Sequence, residues 1–392
     1  MQLGRMLSIA VLAIGVSALA PADSFAQDAA VTAPARPIGR MHFWFYSRDA
    51  AARFLTGDHE GVSAITYAGP QDEALNARIS ASGLARVAGV GGIVRIKGQS
   101  VEDGITVFKK GIDKIIAGGV DAIYVDEPVG PALIMECGSD CYDAASFNTT
   151  DKGVRFLVDA FNELGDYFRT KRPGGQFGIC VGDGGGLKFH EAALAAGLRE
   201  DFVCLEQYGA AHRRPFDDFK KKFPDIKTML LAYNTRALCS DNDATAFDTW
   251  GFWNLDNFAG WIPGPRGDAD WFANAKLFAR GDTSFCQRPI SQIASPLTHA
   301  SQTRDFDLSP LDSAMIPPAP FVLGDCEYRV VSSGAETRAW TTRACNKPFR
   351  VTVGPGQDCR DNGPSACLIY VRARTTAGTL GNTQFTRFHI AF

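Results

Sequence analysis

The stretch Val101–Pro128, VEDGITVFKKGIDKIIAGGVDAIYVDEP, carries a whole structural unit. Its first part has a helical apolar pattern and closes on Gly118-Gly119, residues suited to a helix C-terminus. A short run, Ala122-Ile123-Tyr124-Val125, then reads as a buried strand and stops abruptly at Asp126-Glu127-Pro128. A packed strand that ends on two adjacent acids needs a reason for them.

Working outward, the same alternation repeats between Ile38 and Cys286. Strands are expected at His42–Tyr46, Val62–Tyr67, Gly92–Lys97, Asp121–Asp126, Gln176–Val181, Phe202–Tyr208, Lys227–Tyr233 and Thr249–Leu255. Helical patterns such as GVRFLVDAFNELGDYFRTK lie between several of them. Eight β units alternating with helices over this length point to an α/β fold, a (β/α)8 TIM barrel. A doubly wound open sheet gives a similar alternation, but no Gly-x-Gly-x-x-Gly turn follows the first strand. The glycine-rich Gly182–Gly186 lacks the Lys-Ser/Thr of a phosphate loop and reads as a turn beside the barrel mouth.

In such a barrel, side chains alternate between the interior and the helix layer, and reactive groups gather at the C-terminal ends of the strands. The apolar set of the first strand, Phe43 and Phe45, suits the helix layer, which leaves His42, Trp44 and Tyr46 inside. By the same logic Tyr124 and Asp126 face inward on the fourth strand, and Cys204, Glu206 and Tyr208 on the sixth. Asp126 and Glu206 therefore converge over one end of the barrel. Glu127 starts the loop and turns either way before Pro128.

Two carboxylates across a barrel mouth are what cleavage of a glycosidic bond requires, one donating a proton and one attacking carbon or activating water. The bland alternative makes either acid a strand-end cap or an ion-pair partner of Arg95 or Lys97. Aromatic company favours the first reading, because sugar rings stack on aromatic faces. Trp44, Tyr46, Tyr208, Tyr233, Trp250 and Trp253 fall at strands one, six, seven and eight, with Asn254, Asp256 and Lys97 as polar contacts.

The first 26 residues have the parts of a signal peptide: Arg5, an apolar run Met6–Ala20 too short to span a bilayer, and the small-x-small ending Ser24-Phe25-Ala26. Residues 27–37 form an N-terminal segment, and the exported chain, periplasmic or extracellular, is expected not to insert in a membrane. The net charge of −3, with acids and bases interspersed, gives no nucleic-acid footprint. Ten cysteines in an oxidising compartment read as disulfides by default. The expected pairs are Cys137 with Cys141 and Cys239 with Cys286, with Cys180 and Cys204 left as free, buried thiols.

Residues 287–320, rich in Pro, Ser, Thr and Gln, read as a linker. Residues 321–392 show only short strands between turn residues, a small β-sandwich-like module whose Cys326, Cys345, Cys359 and Cys367 should pair among themselves.

On these residues Ile38 to Cys286 resembles exported (β/α)8 glycoside hydrolases, in architecture and in site placement. Acids on strands four and six are similar to those of the α-galactosidase-like group, a likeness that implies Asp126 as nucleophile and Glu206 as general acid/base. The polygalactosaminidase-like enzymes also place an acid late in strand four. Glu127 and Tyr208 are similar to chitinase site residues, but the Asp-x-x-Asp-x-Asp-x-Glu run of chitinases is replaced by VDAIYVDEP. The resemblance implies a carbohydrate substrate, with no cofactor and no metal. Two rivals remain: a non-catalytic carbohydrate-binding barrel, and a zinc enzyme similar to cobalamin-independent methionine synthases, which share a YVDEP-like strand end. The second needs a His/Cys cluster, and Cys137-x-x-x-Cys141 has no nearby histidine.

Overall fold

The computed structural model describes residues 34–69, 71–90, 101–126, 140, 142–143, 148–182, 185–206, 213–232, 235–240, 243–254, 267–268, 270–288, 301–308 and 322–392. Eight parallel strands close into a barrel: β1 Met41–Phe45, β2 Ala64–Tyr67, β3 Ala85–Val90, β4 Ala122–Asp126, β5 Gln176–Val181, β6 Phe202–Glu206, β7 Lys227–Ala232 and β8 Thr249–Asn254. Neighbours in sequence are neighbours in space, and β8 closes on β1 through Met41↔Trp250 to Phe45↔Asn254. The TIM barrel expected from the alternation is the fold.

Helices α1 Arg48–Phe54, α2 Glu73–Ala81, α3 Val101–Ala117, α4 Asp151–Lys171, α5 Gly186–Ala195, α6 Arg213–Lys222, α7 Thr235–Ser240 and α8 Trp271–Ala279 alternate with the strands. Local chemistry sets their ends. Thr150 caps α4 by accepting from the Gly153 amide, Asp151 sits in the first turn and Arg169 and Lys171 in the last, each sign suited to its end of the helix dipole. Val154, Leu157, Val158, Phe161, Leu164 and Phe168 then form one buried stripe against the strands. Each such side chain, fully buried, contributes about 1.5–3 kcal/mol relative to exposure.

Strand three is Ala85–Val90 and not Gly92–Lys97, whose residues lie outside the described ones. The period-2 signal of ARVAGV is hidden by Arg86, a charge near the start of the strand that stays buried because the fold supplies partners. Arg86 donates from Nη1 to the Gly118 carbonyl and from Nη2 to Gln71, and its backbone amide donates to Asp121 Oδ2 at 2.9 Å. Asp121, fully buried, also takes Arg172 Nη2 at 2.8 Å and the Arg36 amide at 3.0 Å, tying three segments together beneath β4. Buried charge persists only when paired in this way.

Beyond the barrel, strands β10 Leu323–Ser332, β11 Ala335–Ala344, β13 Gly363–Thr375 and β14 Gln384–Ile390 make an antiparallel sheet in the order β14-β13-β10-β11. Strand β9, Phe306–Leu308, pairs with β12, Phe349–Val351, as a second, two-stranded sheet. The two share a core in which Tyr328 stacks on Phe349 at 4.8 Å and Phe306 meets Phe388 at 4.7 Å. Residues 302–308, within the stretch read as linker, thus add a strand here. Disulfides Cys326–Cys345 and Cys359–Cys367 staple the region internally, as expected. The segment Gly267–Asp268, which follows β8, pairs with Phe385 and Gln384 on the edge of β14, and the Thr383 amide donates to Asp270 Oδ2 at 2.7 Å.

Candidate functional site at the barrel mouth

The barrel interior confirms the alternation rule strand by strand. Trp44, Ala64, Val87, Ala122, Tyr124, Cys180, Cys204, Met229 and Leu231 pack together inside, while Phe43, Phe45, Ile123, Val125, Val203 and Leu205 pack against the helices. Trp250 belongs to the outer set, wedged between Phe247 at 4.8 Å and Phe278 at 4.9 Å, so it is core and not part of the mouth.

Asp126 ends β4 opposite Cys180 on β5, and Cys180 stands opposite Cys204 on β6. Glu206 lies two residues beyond Cys204, opposite Leu231 on β7. The two acids are thus separated by one intervening strand, roughly 10 Å between the backbones of β4 and β6. Their surroundings differ: Asp126 is exposed, whereas Glu206 is 2% exposed.

Tyr124 lies two residues before Asp126 on the same face of β4. Burial, and then the charges of Asp126, Glu206 and Tyr46, push its phenol well above the ordinary tyrosine range. All three of these charges belong to residues of the expected inward set. The place of Tyr124 is fixed from two sides. The ring leans on Trp44 with centroids 4.6 Å apart, and it covers Gly89 on β3 so closely that a Cβ there would stand 2.6 Å from the tyrosine oxygen.

Beneath this pair runs a hydrogen-bonded chain of one polarity. Trp44 Nε1–H donates to His42 Nδ1 at 2.9 Å, which leaves the His42 proton on Nε2, facing Thr66 Oγ1 at 2.8 Å; Thr66 in turn donates to the Val87 carbonyl at 3.0 Å. Burial pulls the His42 imidazole down to about 3. It is therefore a neutral positioning group that orients Trp44, and through Trp44 the tyrosine.

Cys180 and Cys204, expected as free thiols, are joined in a disulfide with Cα atoms 4.4 Å apart. Both point inward on adjacent strands at the same level, and an inward pair in register is within bonding range. The bridge straps β5 to β6 beside Asp126 and two residues before Glu206. Cys239–Cys286 is present as expected, and Cys137 and Cys141 lie outside the described residues.

Of the residues singled out in the sequence, the structure brings together Asp126, Glu206, Tyr46 and, as floor, Trp44, which is 6% exposed. Trp253 stands opposite Trp44 and Asn254 opposite Phe45 in the β8–β1 register. Glu127, Lys97, Tyr208, Tyr233 and Asp256 lie outside the described residues. Residues that carry the site without having been singled out for it are Tyr124, His42, Thr66 and Gly89. The inward parity of Tyr124 and His42 was the available signal, but nothing local marks Gly89 as the seat of a ring from the next strand. Among the described residues no group of three His, Cys, Asp or Glu side chains is placed to hold a metal ion, and no helix is long and apolar enough to cross a membrane.

No protein-family model and no curated protein sequence matches the chain. Solved structures similar to it include β-glucuronidase 2 of Bacteroides uniformis, at 11% identity and a TM-score of 0.44, over 90% of this chain and 46% of that one. The chain thus spans less than half the length of that enzyme. An endo-β-1,4-mannanase of Cellulomonas fimi is 13% identical with a TM-score of 0.42, over 91% and 95% of the two chains. A β-1,4-mannanase of the sea hare Aplysia kurodai is 10% identical with a TM-score of 0.39, over 62% and 92%. Likeness at this level carries no chemistry over to this chain.

Proposed function

We propose that the chain is an exported glycoside hydrolase that cleaves O-glycosidic bonds of a poly- or oligosaccharide with Asp126 and Glu206. What supports this reading is that Asp126 and Glu206 end β4 and β6 at the barrel mouth, and that the charge of each helps to raise the Tyr124 phenol. The division of solvation suits the division of labour, with an ionised partner in water and a proton-donating partner kept dry. Glu206 gives its proton to the glycosidic oxygen while Asp126 attacks the anomeric carbon; the carbon–oxygen bond breaks and a glycosyl ester forms on Asp126. Glu206, now a base, takes a proton from water, which displaces Asp126 and restores both groups. Tyr124 keeps its proton throughout and supplies an O–H donor beside them. Four disulfides among the described residues suit an oxidising compartment, in keeping with the signal-like first 26 residues.

The test is release of reducing sugar from a panel of bacterial and plant glycans by wild type, Asp126→Asn and Glu206→Gln, with circular dichroism to confirm folding. Each amide variant should lose at least about 100-fold in kcat, the effect of a positioned acid, base or nucleophile. If Asp126→Asn keeps more than roughly a tenth of the activity, the acid role passes to Glu127. Binding without turnover by the wild type would identify a non-catalytic carbohydrate-binding barrel instead.

A further inference from the structure

Among the described residues, Cys180–Cys204 is the one disulfide that joins two strands of the barrel. Cys239–Cys286 ties helix α7 to the turn Ser284–Gln287 after α8, and the other two bridges lie in the C-terminal sheet region. Cys180 and Cys204 are fully buried, packed in the barrel interior with Tyr124 and Met229. One register row runs Asp126, Cys180, Cys204, Met229 across β4, β5, β6 and β7. Glu206 stands one step higher on β6, two residues beyond Cys204. The bridge is therefore the covalent part of the path from the strand of one acid to the strand of the other.

Neighbouring strands twist against one another by roughly 20–25°, with a spread of about 10–35° that backbone hydrogen bonds tolerate. A covalent link between the side chains of facing residues removes most of that freedom at one level of the sheet. The Cα atoms of Cys180 and Cys204 are 4.4 Å apart, closer than the roughly 4.7–4.9 Å between ordinary neighbouring strands. The bridge thus draws β5 and β6 together as well as fixing their twist. Glu206 rises roughly 6.6 Å above the level of Cys204, so a change of about 10° in twist would carry it roughly 1 Å. A displacement of that size in a reacting group can lower a rate about 100-fold.

We propose that Cys180 and Cys204 are positioning residues for the acid pair: their bridge fixes β5 against β6 and so sets the separation of Asp126 and Glu206. The consequence for turnover rests on the hydrolase reading, whereas the separation itself does not. A bridge that served stability alone would be replaceable by any side chains that fill its volume; a positioning bridge is not.

Two bridge-free forms of the full chain test this, Cys180→Ala with Cys204→Ala and the better-filled Cys180→Ala with Cys204→Val, beside Cys239→Ala with Cys286→Ala as a control that loses a bridge away from the acids. On a glycan that the wild type cleaves, kcat should fall at least about tenfold in both bridge-free forms with KM little changed, and stay near wild type in the control. The second readout needs no turnover. Infrared titration of the Glu206 carboxyl, assigned by its loss in Glu206→Gln, is compared with and without Asp126→Asn. Removing the Asp126 charge should make Glu206 ionise at lower pH in the bridged chain, and this difference should shrink in the bridge-free forms as the acids move apart. An unchanged kcat or an unchanged difference in a folded bridge-free form overturns the proposal, as does failure of both forms to fold, which would make the bridge a staple for stability. The hydrolase reading fails separately: a wild-type chain that releases no sugar loses that reading, and the infrared comparison alone then decides this one.

Discussion

Replacing Gly89 by alanine should destabilise the barrel and blunt the site at once. The backbone at Gly89 is not in the left-handed region, so alanine is conformationally allowed and on its own would gain about 0.4–1 kcal/mol by restricting the unfolded chain. The added Cβ, however, would stand 2.6 Å from the Tyr124 oxygen, 2.7 Å from Cζ and 3.2 Å from Cε2. The ring cannot retreat freely, because Trp44 backs it at 4.6 Å and is itself held by His42. Overpacking of this kind costs about 1–3 kcal/mol, so the net loss should be about 1–2 kcal/mol, a factor of roughly 5–30 in the folded-to-unfolded ratio. Urea denaturation measures the loss, and near-ultraviolet circular dichroism should show the altered Trp44–Tyr124 contact. Tyr124→Leu, combined with Gly89→Ala, should recover most of the stability but not the activity, since the hydroxyl beside the acids is gone. A Gly89→Ala protein as stable as wild type with an unchanged near-ultraviolet spectrum would refute the placement of Tyr124, and with it the gathering of Asp126 and Glu206.

Other outcomes follow from the same geometry. Because burial holds the His42 imidazole near 3, the unfolded chain takes up a proton at this residue below its ordinary value of about 6.5 while the folded chain does not. Its stabilising effect is complete above about 6.5 and is lost as pH falls toward 3; unfolding of His42→Gln should lack that component, and a His42 NMR shift that titrates near 6.5 in the folded protein would contradict the assignment. Removing the Cys239–Cys286 bridge, which closes a 47-residue separation, as Cys239→Ala with Cys286→Ala should cost about 4 kcal/mol by the loop-entropy relation. Mass mapping of the non-reduced protein should recover Cys180–Cys204, Cys326–Cys345 and Cys359–Cys367 as well, and a free thiol at Cys180 would undo the strap between β5 and β6.

Much of the barrel is legible because its signals are local. Strand and helix patterns repeat within a few residues, and period-2 alternation tells which side of a strand each residue takes; hence Asp126, Glu206, Trp44 and Tyr46 were placed inward from sequence. Strand β3 failed the same test because Arg86 breaks its apolar period, and its burial depends on Asp121, 35 residues away, and on the Gly118 carbonyl. Cys180 and Cys204 show the limit most plainly. Both lie in the barrel interior, yet whether two inward thiols meet depends on the register between β5 and β6, which neither strand encodes alone.

The sequence by itself determined the eightfold repeat, the inward facing of the two acids and the cysteine-rich β region at the end, because each depends on periodicity or composition within one segment. Tertiary structure decided what those acids meet. Tyr124 takes its place because Gly89 on the neighbouring strand leaves room for its ring and Trp44, from across the barrel, holds it there. Such a fit is a sum of contacts between distant segments, each set by strand register and barrel closure, and no single stretch of chain contains it.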